Sequence, residues 1–323
     1  MGKIKVLELF GGIGACSKAL ENLGIDYEIT DYVEIDKYAV KSFNAIHDTN
    51  FEPQDICTWD KNIDVDLIMH GSPCQDFSVA GKGAGGDKNS GTRSSLMYET
   101  IRIVEKLKPK YVIWENVKNL LSKKHKHNFD VYLETMEQLG YKNYYQVLNA
   151  KDYGIPQNRE RVFTISIRND INKNFEFPPK QELKLKLKDI LESNPPVEYY
   201  WNEKNIDILR KQKINKVSYK WNNEVKKYIY NEKIDLNNIY SLDAYNNTYS
   251  KICHTITTPH NTLFILQNKK IRKTTPLENW RLMGFDDKDF EKAEKVNSNT
   301  QLYKQAGNSI VVNVLMAIFK ELL

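Results

Sequence analysis

Ile4-Lys5-Val6-Leu7-Glu8-Leu9-Phe10-Gly11-Gly12-Ile13-Gly14 is the stretch whose reading decides the fold. Its first residues are mostly apolar or β-branched, which predicts a buried strand, and the glycines predict a sharp turn behind it. Ala15, Cys16, Ala19, Leu20 and Leu23 then recur at helical spacing, with Gly24 placed to close the helix as its C-cap. Strand, glycine turn and helix open an α/β sheet. At such a turn the backbone can approach a ligand closely, and the start of the helix offers it free N–H groups. Simple chain reversal would also use glycine, but the acids that follow favour a ligand. Tyr27 to Val33 reads as a second strand, and Glu34 stands about 20 residues past the turn, where mononucleotide-binding folds hold a ribose. Asp55 repeats that arrangement one unit later. The pattern Phe10-x-Gly12-x-Gly14 lacks the third glycine of a dinucleotide site and carries an aromatic at the strand end, which disfavours a nicotinamide enzyme and favours another adenosine ligand.

A second stretch supplies a thiol. Asp66-Leu67-Ile68-Met69 predicts a short buried strand, and Gly71-Ser72-Pro73-Cys74-Gln75-Asp76-Phe77-Ser78 follows at its carboxyl end, where open α/β sheets bind ligands. Pro73 fixes its own φ and so limits how the backbone can wander just before the sulfur. Gly81, Gly83, Gly85, Gly86 and Gly91 then fall close together, interleaved with Lys82 and Lys88. This segment reads either as a lid beside the thiol or as a surface loop. Helical spacing resumes through Leu96, Ile101, Val104 and Leu107. Tyr111-Val112-Ile113-Trp114 predicts another buried strand, ending in Glu115-Asn116-Val117 on the same rim as Gly12, Glu34 and Cys74. A helix is expected from about Phe129 to Leu139. Gln157-Asn158-Arg159-Glu160-Arg161 leads into a further strand, and alternation puts Gln157, Arg159 and Arg161 on one face.

Composition narrows the class. The 323 residues suffice for one large or two moderate domains, and 47 basic against 42 acidic residues leave an excess of +5, which permits nucleic-acid binding without requiring it. Cys16, Cys57, Cys74 and Cys253 show no C-x-x-C spacing, so neither a metal site nor a disulfide framework is expected, and a reducing, cytoplasmic setting fits. The longest apolar run, Ile310 to Phe319, is too short to span a bilayer. From about Phe177 the character changes. Pro178-Pro179 and Pro195-Pro196 bracket a Lys-Leu alternation, after which Trp201, Tyr219, Trp221, Tyr228, Tyr230, Tyr240 and Tyr245 interleave with lysines. That composition suits a nucleic-acid surface, and it is also what an AT-rich coding sequence would write. A closing helix is expected from Val311 to Leu322, with Val314, Leu315, Ile318, Phe319 and Leu322 turned inward.

Taken in order, these stretches resemble DNA (cytosine-5) methyltransferases of the compact bacterial and phage type along nearly the whole chain. Phe10-Gly11-Gly12-Ile13-Gly14 resembles the family's cofactor motif, Pro73-Cys74-Gln75 its nucleophile motif, Glu115-Asn116-Val117 its ENV motif and Gln157-Asn158-Arg159-Glu160-Arg161 its Q-x-R-x-R motif. Gln305-Ala306-Gly307-Asn308-Ser309 resembles the final motif. Thr275-Pro276-Leu277-Glu278 resembles the penultimate T-P-R-E motif, with Leu277 in place of its arginine.

The resemblance implies a Rossmann-like S-adenosylmethionine-dependent sheet with helices on both faces, plus a smaller, mostly β target recognition domain. Residues 1–188 and 301–323 are expected in the catalytic domain, and 189–300 in the recognition domain with its hinge. It implies S-adenosyl-L-methionine as cofactor, no metal, and double-stranded DNA as partner, with a cognate restriction endonuclease acting separately; the protein is expected to be monomeric and free of membranes. Cys74, Glu115, Arg159 and Arg161 are the expected catalytic residues. Phe10, Gly12, Ile13, Gly14, Glu34, Ile35, Asp55, Ile56, Pro73, Leu96, Asn308 and Ser309 are expected around the cofactor. Gln75, Ser78, Lys82, Gln157, Thr257 and Thr258 are expected toward DNA, Thr257 and Thr258 belonging to a segment that resembles the family's recognition segment. A tRNA-directed enzyme of the same fold and an inactive DNA-binding regulator are the alternatives; the second predicts decay at Cys74, Glu115 or Arg161, and all three are intact.

Overall fold

The computed structural model describes residues 2–72, 96–201, 206, 227–228, 233–258 and 263–323. Pro73, Cys74, Gln75, Ser78, Lys82 and the glycine-rich segment through Gly91 lie outside the described residues.

The first two thirds alternate strand and helix: β1 (Ile4–Leu9), α1 (Ala15–Asn22), β2 (Tyr27–Val33), α2 (Lys37–His47), β3 (Leu67–His70), α3 (Met97–Leu107), β4 (Tyr111–Val117), α4 (Lys126–Gln138), β5 (Tyr141–Asn149), β6 (Gln157–Asn158) and β7 (Glu160–Arg168). Six of these strands form one sheet in the order β2-β1-β3-β4-β7-β5. β2, β1, β3 and β4 run parallel, and β7 is antiparallel to both of its neighbours.

A sheet buried on both faces needs apolar side chains at consecutive positions, and the short strands supply them. Leu7, Ile68 and Val112 face a core with Ile101 and Val104 of α3 and Phe129 and Tyr132 of α4. Their neighbours Val6, Leu67 and Ile113 face the opposite core. There they meet Ala19 and Leu20 of α1 and the inward side of the closing helix, which runs Val312–Leu322. Leu315, Ile318, Phe319 and Leu322 are all fully buried on that side, each contributing about 1.5–3 kcal/mol relative to exposure. The expected α/β class, with helices on both faces, is the observed one.

The remaining elements are α5 (Leu187–Ile190), β8 (Tyr240–Asp243), β9 (Thr248–Ser250), β10 (Cys253–His254), β11 (Leu263–Gln267), β12 (Lys270–Lys273), α6 (Pro276–Arg281), α7 (Asp287–Glu294), α8 (Asn299–Asn308) and α9, the closing helix. β12, β11, β8 and β9 form a separate antiparallel sheet. β11 is its central strand and is buried on both faces: Phe264 and Leu266 enter a small core with Ile234 and Leu242, while Leu263 and Ile265 join the large one. β10 leaves this sheet and pairs with β6, which places it against the arginine motif.

Residues 276–294 reach into the large core. Trp280, Met283 and Phe285 after β12, and Phe290 and Ala293 of α7, are buried in the large core with α1 and α9. Lys18 of α1, itself only 4 % exposed, donates to Asp286 and Asp289 at 3.0 and 3.1 Å. These helices therefore pack with the first part of the chain as well as with the small sheet, whose Leu263 and Ile265 share the same core. An amphipathic face declares that it needs a core but not which one, so spacing alone does not say what these helices pack against. Leu277, which stands where the T-P-R-E pattern has arginine, packs against the large core. Glu278 instead takes a two-pronged ion pair from Arg272, at 2.7 and 2.8 Å with both residues fully buried.

Candidate active site

The turn after β1 is built to be open on one side and tight on the other. Phe10, Gly12 and Gly14 all take left-handed backbone, with φ of 53°, 57° and 81°. A Cβ on Gly12 would meet nothing within 4 Å, so this face of the turn is open to a ligand. A Cβ on Gly14 would fall 2.2 Å from Nε2 of His47 and 2.9 Å from the Phe43 ring. Gly14→Ala is therefore expected to cost about 2–4 kcal/mol, from left-handed strain plus overpacking. A thermal melt checks it, and an unchanged melting temperature would refute it.

Carboxylates hold the turn from two sides. Glu34, just past β2, accepts the Gly12 N–H at 3.2 Å and the Asp36 N–H at 2.9 Å. Burial pushes its carboxyl above the usual range, and those two backbone N–H groups partly counter it. Glu8 of β1 was not singled out by the sequence, although an acid inside an apolar strand was the available signal. It is 2 % exposed, accepts the Ser17 N–H at 3.0 Å and the Ser17 hydroxyl, and is pushed by burial up to about 7. It ties the first turn of α1 back to the strand.

A pocket opens where these parts converge. Phe10 and Gly12 line it from the turn, Met69 and Gly71 from the end of β3, Glu115 from β4, and Asn308 and Ser309 from the end of α8. Glu8 and Cys16 line its floor. Five of the expected cofactor or catalytic positions thus face one space, from stretches about 300 residues apart in the chain. Ile13 and Gly14 lie in the turn beneath it. Ile35, beside Glu34, is 69 % exposed although it is a large aliphatic residue. Asp55 is exposed, and its loop is tied to Glu34 by the Gln54 N–H at 2.9 Å. Ile56 is buried and Leu96 half-buried at the start of α3.

Glu115 is the acid of the pocket. β4 runs through to Val117, so Glu115 is held in a strand and pairs with Phe163 of β7. Its Oε1 lies 3.1 Å from Nε of Arg161, with both side chains largely buried. Burial raises its pKa, while Arg161 and then Arg159 pull it down. A buried carboxyl that can hold a proton beside a guanidinium is suited to general acid work.

Arg159 and Gln157 of the same motif both hold backbone. Arg159 is 4 % exposed and donates to the carbonyls of Ile256, Ser309 and Gly307 at 2.9, 2.8 and 3.2 Å. It braces the segment before Thr257 against the last motif, and its charge helps pull down the pKa of Glu115. Gln157 is fully buried, donating to the Leu282 carbonyl at 2.8 Å and accepting the Ile256 N–H at 3.0 Å. With no accessible surface it positions backbone rather than touching DNA. Thr257 and Thr258 are exposed, and the Thr258 hydroxyl donates to Asn308 Oδ1 at 3.3 Å. Among the described residues no group of His, Cys, Asp or Glu could hold a metal ion, and no helix is long and apolar enough to cross a membrane.

A mixed sheet with a glycine turn at its first strand, a buried acid after the second and a polar rim along the carboxyl edge of its parallel strands is the architecture of an α/β enzyme. The family profile described as C-5 cytosine-specific DNA methylase matches residues 4–323. The chain belongs to that family, and it is a DNA cytosine-5 methyltransferase. The type II methyltransferase M2.ScrFI of Lactococcus lactis subsp. cremoris is 37 % identical over 390 residues, covering 99 % of both chains. The type II methyltransferase M.HhaI of Haemophilus parahaemolyticus is also 37 % identical, over 98 % of this chain and 93 % of its own. Among solved structures, S. pombe Dnmt2 methyltransferase shares the fold with a TM-score of 0.69 at 20 % identity, covering 98 % of this chain and 97 % of that one.

Proposed function

We propose that Cys74 is the nucleophile of a sequence-specific methyl transfer to carbon 5 of cytosine in double-stranded DNA. The observation that carries this reading is the Glu115–Arg161 pair, facing the same pocket as Phe10, Gly12, Asn308 and Ser309. Carbon 5 of cytosine is a poor nucleophile. Addition of a thiolate to carbon 6 converts the ring to an enamine that can accept a methyl group at carbon 5, and loss of the carbon-5 proton then expels the sulfur. Glu115, protonated, donates to N3 as the thiolate adds and holds the exocyclic amine. Arg161 orients that carboxyl and faces the O2 side of the ring. The target atom is closed off inside a duplex, so the cytosine must leave the stack to reach the pocket.

The cofactor read here is S-adenosyl-L-methionine, and the residues fit it: open space at Gly12, an acid at Glu34 for ribose hydroxyls, and Phe10 and Ile35 as apolar surfaces for adenine. When bound it supplies the electrophilic methyl group. Asp55, Ile56, Pro73, Leu96, Asn308 and Ser309 complete its surroundings in this reading.

We read the small sheet as the core of the target recognition unit, which would meet DNA in the major groove. Tyr245, 78 % exposed at the β8–β9 turn, and the exposed Thr257 and Thr258 support that reading, with Gln75, Ser78 and Lys82 approaching from the nucleophile's side. A monomer in the cytoplasm of a bacterium, or of a cell carrying the phage that encodes it, with an endonuclease of matching specificity acting separately, completes the proposal.

Incubation with methyl-labelled S-adenosylmethionine and mixed-sequence duplex DNA, with tRNA in a parallel reaction, tests it. Label on carbon 5 of cytosine within one DNA sequence is expected. Label on tRNA in preference to DNA, or on neither, would overturn it.

A further inference from the structure

The chain enters the nucleophile segment under restraint. β3 ends at His70, and Gly71 and Ser72 are the last described residues before Cys74. Ser72 is 4 % exposed and gripped from β4 on both sides of its own peptide unit. The Trp114 indole N–H donates to the Ser72 hydroxyl at 3.0 Å, and the Asn116 amide donates to the Ser72 carbonyl at 3.4 Å. Trp114 is itself immobilised. The His70 ring stacks on it with an interplanar angle of 8°, and the Tyr132 ring lies 4.2 Å away. His70, Trp114 and Tyr132 are at most 1 % exposed.

Successive strand residues point to opposite faces, so Trp114 and Asn116 share one side of β4 while Glu115 takes the other. One rigid strand therefore presents the acid to the pocket and, with the residues either side of it, holds the backbone that carries the thiol. An indole N–H can only donate, which fixes the Ser72 hydroxyl as acceptor, and in dry surroundings that bond is strong and directional. Ser72 is two residues before Cys74 in the sequence, with a proline between them.

We propose that Trp114 is a positioning residue: through its hydrogen bond to Ser72 it sets the distance between the Cys74 sulfur and the base held by Glu115. The inference rests on reading Cys74 as the nucleophile. A displacement of about 1 Å in such an alignment can cost as much as a hundredfold in rate.

The full-length enzyme carrying Trp114→Phe, Ser72→Ala, Ser72→Thr or Trp114→Phe with Ser72→Ala tests it. Turnover, the Kd for S-adenosylhomocysteine and the rate of covalent adduct formation on duplex DNA with 5-fluorocytosine at the target are measured. The fluorine cannot leave as a proton does, so the adduct persists. Trp114→Phe and Ser72→Ala are each expected to slow turnover and adduct formation about ten- to a hundredfold, with the Kd unchanged within twofold. Ser72→Thr, which keeps the hydroxyl, is expected to restore most of the rate. The double variant is expected to be no slower than the worse single one, because both remove the same bond. Wild-type adduct rates in Ser72→Ala, or losses that multiply in the double variant, would overturn the proposal alone. Failure of the wild-type enzyme to form any adduct would remove the reading of Cys74 as well.

Discussion

Replacement of Cys74 by alanine is expected to reduce methyl transfer by about ten-thousandfold or more, since the nucleophilic route to an activated ring disappears. Nothing else in the described pocket can substitute. Cys16 lines it, but burial with Glu8 nearby pushes that thiol well above its ordinary range. Cys253 is buried and pushed up to about 12. The size of the loss says where catalysis comes from. A free thiol with a pKa of about 8.5 is only a few per cent ionised at neutral pH, so complete ionisation would contribute roughly 2 kcal/mol. Enzymes lower barriers by about 8 kcal/mol or more. The larger share must come from what happens to the ring once sulfur has added. Labelled methyl transfer measures the loss, and cofactor affinity and DNA gel shifts should stay near wild-type values; retained transfer in this variant would end the proposal.

Glu115→Gln carries the second largest expected effect, a drop in kcat of about a hundred- to a thousandfold with little change in cofactor affinity. Glutamine fills the same space and can still hydrogen-bond, so only the transferable proton and the charge are lost. The direction of the pKa shift adds a second readout. Burial holds the acid form of Glu115 to a higher pH than an ordinary carboxyl, with Arg161 and Arg159 opposing. Activity requiring that acid form falls as pH rises through the raised pKa. A pH–rate profile should show this falling limb in the wild-type enzyme and lack it in the variant. A limb that survives unchanged would assign the titration to another group.

What the sequence made legible was local. β1, the turn at Gly12 and α1 follow from neighbouring residues, and Glu115 was placed on the rim because the apolar run before it ends there. The inward side of the closing helix, Val314 through Leu322, is also as its spacing dictates. What escaped depends on partners far along the chain. Gln157 looked like a surface group until Leu282 and Ile256, each about 100 residues or more away, took both ends of its amide. Arg159 likewise reaches Ile256 and Ser309, about 100 and 150 residues further on. Ser72 and Trp114 gave no pattern at all, because a single hydrogen bond between strands leaves no periodicity.

One feature of the packing bears on how the protein is made. α1 rests against α9, so the apolar side of this early helix is covered only by residues about 300 positions further along the chain. Contacts so distant along the polypeptide form slowly, and until they do the nascent sheet exposes one greasy flank to whatever else is in the cell. Docking of α1 onto α9 is thereby a late event of folding, and a chain cut short before α9 would leave the helix behind the Gly12 turn without its cover.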